Sequence, residues 1–248
     1  PPTRDLRAYQ LYLQGRFSLS RYTEVGVRKA MAYFEQALAV DPAFALAEVG
    51  VARTYIEPAN EGFGGVPPRT AFALAQEAVD RALALDESLG EAHGLVALLK
   101  FSCEFDWDGA EREFRRGLEL SPGSADIHDH YGWMCMALER YDDAIRLLTR
   151  ARELDPLSHA SDSAATLLRA GRFNEALAMS EKIIEFDPTL TRGHATAGWA
   201  LMLTGRHPEG VAALERAAAL ASGGTLFRAQ LGQAYAMTGR VEDARDVL

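Results

Sequence analysis

Cysteine is scarce in this 248-residue chain: Cys103 and Cys135 stand alone, outside any CxxC pattern. That excludes a disulfide framework and a cysteine-rich zinc site, and it fits a reducing compartment. Aromatic residues are only 9% of the sequence, and Val, Ile and Thr are thin, so strands are disfavoured. No run of eighteen apolar residues occurs, so no helix is expected to span a bilayer. The opening PPTRDLRAYQ has neither the basic n-region nor the apolar h-region of a secretory signal, and it lacks an initiator Met. The expectation is an excised or processed piece of a longer protein, in the cytoplasm. A surplus of base is missing too. Lys plus Arg number 26 against 35 Asp plus Glu, a net charge of −9, which argues against direct nucleic-acid binding or attachment to anionic membranes.

What is present is a globular composition, 48% hydrophobic and 25% charged. The length lies at the top of the range for one conventional core, which leaves two domains or a repeat architecture. Roughly one residue in six is alanine, the strongest helix former, so an all-α chain is expected. The acid is concentrated: counted in successive blocks of fifty from the N-terminus, residues 101–150 carry a net −5, the most negative block.

Self-comparison reveals a period. Six helix ends share one chemistry: Val40-Asp41-Pro42, Leu85-Asp86-Glu87, Leu120-Ser121-Pro122, Leu154-Asp155-Pro156, Phe186-Asp187-Pro188 and Leu220-Ala221-Ser222. Their spacings are 45, 35, 34, 32 and 34 residues. A helix must stop or kink just before proline, so four of these ends are marked directly. Twelve residues upstream of each end stands a small residue: Ala30, Ala75, Ala110, Ala144, Ala176 or Gly210. Five upstream stand Ala37, Ala82, Gly117, Ala151, Ile183 and Ala217. Small residues seven apart share a helical face and admit a neighbouring helix closely, while Phe34, Phe114, Leu148 and Leu214 fill the space between. A second recurring turn precedes these helices: Glu139-Arg140-Tyr141, Gly171-Arg172-Phe173, Gly205-Arg206-His207 and Gly239-Arg240-Val241, each with acid or Asn within the next two residues. Glycine suits the left-handed residue after a helix, and acid in the next first turn complements its dipole. The unit is helix, tight turn, helix.

These residues resemble the tetratricopeptide repeat, a 34-residue helix-turn-helix; the cleanest copies run from Tyr131-Gly132 to Pro156, from Ala197-Gly198 to Ala217, and over Leu231-Gly232, Tyr235 and Ala244. The resemblance covers essentially the whole chain. It implies an all-α, right-handed superhelix (α-solenoid) of about seven repeats, the last truncated, forming one array over 1–248. The approximate units are 6–42, 43–87, 88–122, 123–156, 157–188, 189–222 and 223–248. The first has about three extra residues around Ser18–Glu24, the second about eleven inserted within Ile56–Thr70, and the fifth is two short. The insertion Gly62-Phe63-Gly64-Gly65-Val66-Pro67-Pro68, together with the stretch Phe105 to Phe114, is similar to the C-terminal arrays of bacterial multidomain signalling proteins. In those, the array follows a winged-helix, nucleotide-cyclase or Ser/Thr-kinase domain.

Candidate chemistry is sparse. Glu104, Asp106, Asp108 and Gly109 imitate the start of a calcium loop, but Arg115 occupies the position of its bidentate Glu. The expected role is structural: Asp108 caps the next helix, with Glu111 completing a capping box and Trp107 packed between helices. His128 and His130, two apart on a helix, point about 200° apart and cannot share a metal. The Gly62–Gly65 loop lacks the Lys-Ser/Thr of a phosphate loop and reads as a connector whose Phe63 could cover a groove mouth. Ser158-His159 is adjacency, not a catalytic pair. No enzyme activity, cofactor or metal is expected.

The resemblance implies that the first helix of each unit lines a concave groove. The corresponding residues are Val49, Arg53, Asp126, Asp129, Trp133, Met136, Arg192, Trp199, Met202 and Gln233. Aromatic and Met anchors among Asp and Arg suit an extended peptide or a helix, although the same residues could simply pack between repeats. The carboxylate clamp of some relatives is missing, its positions holding Asp129, Trp133, Ala195 and Trp199, and two asparagines, Asn60 and Asn174, cannot form a ladder. The expected function is a non-catalytic scaffold that binds a protein or peptide segment and regulates an attached or partner effector. The acidic middle predicts a basic or mixed-charge partner. The competing expectations are a sensory domain whose curvature responds to a metabolite or peptide, and the scaffold arm of an enzyme.

Overall fold

The computed structural model describes residues 3–19, 23–61, 66–155, 162–221 and 225–247, and among these every regular element is helical. The α-helices are α1 (Leu6–Leu19), α2 (Glu24–Val40), α3 (Ala45–Glu61), α4 (Pro68–Leu85), α5 (Gly90–Leu99), α6 (Trp107–Leu120), α7 (Ala125–Ala137), α8 (Tyr141–Leu154), α9 (Asp162–Arg169), α10 (Phe173–Phe186), α11 (Thr191–Leu203), α12 (His207–Leu220), α13 (Thr225–Met237) and α14 (Val241–Val247). A π-helical segment, Lys100–Glu104, joins α5 to α6.

The chain forms two compact units, Pro1–Tyr131 and Gly132–Leu248, whose boundary falls inside α7. In the first, α1 pairs with α2, α3 with α4 and α5 with α6, while α1 also touches α3 and α3 touches α5. In the second, α9 pairs with α10, α11 with α12 and α13 with α14, and α9 touches α11. Each unit is thus a stack of helical hairpins in which first helices neighbour first helices.

The small residues make this stacking possible. Ala30, Ala75, Ala110, Ala144 and Ala176 are wholly buried, as are Ala37, Ala82, Ala151 and Ala217. Phe34, Phe114, Leu148 and Leu214 fill the intervening space at 2% exposure or less. Glycines allow the tightest approaches. A Cβ added at Gly198 would stand 3.0 Å from the Gly210 carbonyl, and one at Gly210 2.9 Å from the Gly198 carbonyl, so α11 and α12 meet backbone to backbone. In the first unit the Phe34 ring of α2 sits between Gly15 of α1 and Gly50 of α3, where added Cβ atoms would lie 2.5 and 2.6 Å from it.

The helix ends follow the repeated chemistry. The backbone N–H groups of Asp41, Asp86, Ser121, Asp155, Asp187 and Ala221 close the last turns onto Ala37, Ala82, Gly117, Ala151, Ile183 and Ala217. Pro42, Pro122 and Pro188 then prevent continuation; Pro156 and Ser222 lie outside the described residues. The Asp41, Asp86 and Asp187 carboxylates each accept the N–H two residues on, at 3.1, 2.9 and 2.9 Å, which turns the chain into the next hairpin.

Four hairpin tips share one design. Glu139, Gly171, Gly205 and Gly239 adopt positive φ (59°, 75°, 81° and 78°), and the following Arg N–H reaches back to the carbonyl five residues earlier, at 2.8–2.9 Å. Each of those arginines, Arg140, Arg172, Arg206 and Arg240, then pairs with the acid three residues on: Asp143, Glu175, Glu209 and Asp243. An arginine cannot accept a hydrogen bond, so the acid in the first turn supplies the complement to the helix dipole instead.

The first unit absorbs its extra residues as helix. The insertion within 56–70 lengthens α3 to Glu61 and starts α4 at Pro68, whose fixed φ suits a first helical position. Gly62–Gly65, including Phe63, and Ser158-His159 lie outside the described residues. The third hairpin is one residue longer than 34, and the π segment takes up that residue by widening one turn. This shift corrects the expected cap. Asp106, not Asp108, caps α6, accepting the Gly109 N–H at 2.9 Å; Trp107 is half exposed rather than packed between helices. Glu111 accepts the Tyr131 hydroxyl at 2.8 Å and pairs with Arg115, so it completes no capping box.

Candidate functional site

The first unit contains a recess built from one face of each of its first helices. Helix α1 contributes Tyr12, Arg16 and Leu19; α3 contributes Val49, Gly50 and Arg53; α5 contributes Glu91, Gly94 and Leu95; α7 contributes Asp126, Ile127 and His130. Phe34 of α2 closes the floor. Spacings of three and four within each helix place these side chains on a common face. The empty space, open solvent included, is about 470 Å³. Glycines at 50 and 94 keep the wall thin, since a Cβ at Gly94 would stand 2.9 Å from Ile127.

Arg53 organises the polar side. Its Nε donates to Glu57 Oε1 at 2.7 Å, one turn along α3, and its Nη1 donates to Asp126 Oδ2 of α7 at 2.5 Å. With Arg53 at 18% and Glu57 at 11% side-chain exposure, this triad is largely desolvated. Breaking such a buried pair is costly because it strands the remaining charge. Glu91 accepts the Ser121 hydroxyl at 3.1 Å. Tyr12 is 9% exposed, its ring packed against Phe34 and Phe44 with centroids 5.9 and 5.2 Å away. Burial pushes its phenol above the ordinary value, opposed by Arg16 and Arg53, so the hydroxyl stays protonated at neutral pH.

The ten groove residues expected from sequence fall into two sets. In the first unit, Val49, Arg53 and Asp126 converge on the recess, and Asp129, one turn beyond Asp126, is partly buried. The other six belong to the second unit. Trp133 is 38% exposed, Met136 accepts the Thr166 hydroxyl at 3.3 Å, and Arg192 and Gln233 are exposed. Trp199 is half-buried against the cluster around Met202, Val211 and Leu214, with its indole N–H donated to Gln230 at 3.2 Å. Met202 is 2% exposed and backs the wall rather than facing solvent. Trp133 and Trp199 therefore hold the same repeat position in different surroundings. Sequence reasoning missed Tyr12, Arg16, Glu57, Glu91 and His130. The Tyr12/Arg16 and Arg53/Glu57 spacings of four were a usable signal.

Among the described residues no group of three or more His, Cys, Asp or Glu side chains could hold a metal. His128 Nδ1 lies 2.8 Å from the Ser124 carbonyl while His130 faces the recess. The Cys103 thiol is pushed up to about 11 by burial, beside Glu104, and is not a thiolate at neutral pH. No described helix is long and apolar enough to cross a membrane.

Stacked helical hairpins with small-residue contacts, and in the first unit a recess lined by the first helices, define the chain as an α-helical repeat protein. Residues 106–159 and 195–248 match the tetratricopeptide repeat family, and the chain is a tetratricopeptide repeat protein. It is 26% identical over 151 residues to the transcriptional regulator HilA of Salmonella typhimurium, a match covering 61% of this chain and 27% of HilA. HilA of Salmonella paratyphi A is 25% identical over the same length. The chain thus spans about a quarter of the length of the curated relatives it matches. Its fold is similar to that of Pseudomonas aeruginosa pilF (TM-score 0.65, 16% identity, 84% of this chain and 90% of pilF). It is also similar to YrrB, described as a tetratricopeptide repeat protein with an unusual peptide-binding site (TM-score 0.52, 21% identity, 78% of this chain and 95% of YrrB). At such identities these structures speak for the fold alone. This fold supports a general role as a protein–protein interaction scaffold.

Proposed function

We propose that the chain binds a peptide or protein segment along the faces of its first helices and thereby regulates an attached or partner effector. The observation that carries this reading is the first-unit recess, with its apolar floor of Phe34, Leu95 and Ile127 under a polar wall held rigid by Arg53. Apolar depth supplies affinity, and fixed charges set register. The peptide-binding site of YrrB and the regulatory role of HilA lend support. The partner segment is basic or of mixed charge, matching the acidic stretch 101–150. The ten groove residues, Trp133 and Trp199 foremost, are proposed contacts.

The test begins with peptides selected on the intact chain. Their affinity, read by fluorescence anisotropy, should fall at least about tenfold, the effect of losing one anchor, in either Glu91→Lys or the pair Trp133→Ala/Trp199→Ala. Undiminished affinity in both variants sinks the reading. A second reading is a sensory domain for a small metabolite, with the same recess as its first place of contact. That reading requires a ligand-dependent rise in Tm.

A further inference from the structure

We infer that the outer face of α1 is a docking surface for a second copy of this chain, with the two α1 helices antiparallel about a two-fold axis.

Helix α1 is apolar on two opposite sides. Ala8, Tyr12, Gly15, Ser18 and Leu19 are buried against the rest of the first unit. Leu6, Tyr9, Leu13 and Phe17, spaced by three, four and four, form a stripe on the other side. They are 70%, 37%, 43% and 67% exposed. Among the described residues no other helix exposes more than two large apolar side chains, and α3 and α5, the first helices that follow it in the stack, expose none. A helix with apolar stripes on both sides is built to be covered on both, and a contiguous exposed apolar face marks an interaction site.

The charges beside the stripe identify what covers it. Asp5, just before the first turn, and Arg16, in the last, are both exposed. They lie eleven residues, or three turns, apart and so share one edge of the stripe. Gln10 and Gln14, also exposed, lie along the other edge. In an antiparallel copy that sets Leu6 against Phe17 of the partner subunit, Asp5 comes beside Arg16 of the partner subunit, and the two-fold axis repeats the pair. Along the opposite edge neutral glutamines meet glutamines. A parallel copy would instead bring Asp5 to Asp5 of the partner subunit and Arg16 to Arg16 of the partner subunit, a costly meeting of like charges. The face is thus complementary to itself in one orientation. A helix of 14 residues is about 21 Å long, and one face of it falls short of the roughly 800 Å² per partner of a stable interface, so the dimer is a reversible one.

Sedimentation equilibrium of the full chain tests this. The chain should pass from monomer to dimer as its concentration rises through the micromolar range. Leu13→Glu, which leaves the buried side of α1 untouched, should weaken dimerisation at least about tenfold, the effect of losing an anchor, with the urea midpoint unchanged. Asp5→Asn keeps the cap that Asp5 makes by accepting the Ala8 N–H at 2.9 Å. It should weaken the dimer of the otherwise unsubstituted chain severalfold, yet strengthen that of Arg16→Glu, where it removes a like charge facing the new carboxylate. This change of sign requires the antiparallel pairing, and a merely destabilised α1 would not produce it. A chain that stays monomeric to millimolar concentration overturns the inference, as does a dimer indifferent to Leu13→Glu. Effects of Asp5→Asn with the same sign in both backgrounds overturn it as well. Open-ended oligomers do so too, because they require α1 to meet a different surface of the next copy.

Discussion

The two units use one hairpin design under different constraints. In the second, the turns at Gly171, Gly205 and Gly239 are supplied by the residue that tolerates left-handed φ, and every described tip is clasped by an Arg and an acid three residues apart. In the first, all three hairpins carry extra residues, taken up as a longer α2, a longer α3 and α4, and a π turn ending in left-handed Phe105. Regular repeats make a uniform wall. The unit that carries the added residues is the one in which four first helices converge on a recess with a desolvated charge triad.

The largest test of this contrast addresses the fillers. Phe34→Ala should cost about 3–5 kcal/mol and Leu214→Ala about 2–5 kcal/mol, read from urea unfolding, because each empties a fully buried site between helices. A cost below about 1 kcal/mol at Phe34 would show that the ring does not hold α1 and α3 together.

A smaller pair of changes should have opposite signs. Phe105, at φ 57° and 71% exposed, has left-handed strain and little packing, so Phe105→Gly should raise stability by about 1 kcal/mol. Gly205→Ala, at φ 81°, should lower it by about the same amount. If Phe105→Gly destabilises, the aromatic side chain has a structural role at this tip.

The smallest effect concerns acid. Hydrogen bonds from Arg146 and Arg140 hold the Asp143 carboxyl below its ordinary value, and Arg172 and Arg206 do the same for Glu175 and Glu209. Folded values lowered in this way contribute stability that is present above the ordinary carboxylate range and lost as pH falls through the folded values, below about pH 4. These groups are exposed, so the loss is slight. It should appear as faster amide exchange at the second-unit tips before global unfolding, and 1 M salt should mimic part of it. Tips indifferent to both acid and salt would mean that the clasps contribute nothing.

Much of the fold was legible in the sequence because its signals are local. Proline after Asp or Ser stops a helix, glycine closes a tip, and alanines seven apart mark a contact face, and these features appear where Pro42, Gly205 and Ala144 predict them. The cap at Asp106 was not legible. Asp106 and Asp108 are equally good N-caps in isolation, and only the π turn, set by one surplus residue, decides between them. The flanks of the insertion prolong α3 to Glu61 and start α4 at Pro68, an extension that Pro58 and Pro68 hid from a reading by propensity; the Gly62–Gly65 loop read as a connector lies outside the described residues. The candidate site was half legible. Val49, Arg53 and Asp126 follow from repeat position, but Tyr12 and Glu91 join them only through the register of α1 and α5, which the irregular hairpins shift.

Phe34 has a consequence for how the molecule comes apart. Repeat arrays ordinarily fray from their ends, each hairpin opening at the cost of one interface. Here one aromatic ring lies against the bare backbones of both Gly15 and Gly50, so α1 cannot detach without exposing the contact that also seats α3. The first two hairpins therefore open as a single cooperative block, and the amide protons of α1 exchange in step with those of α3 instead of ahead of them.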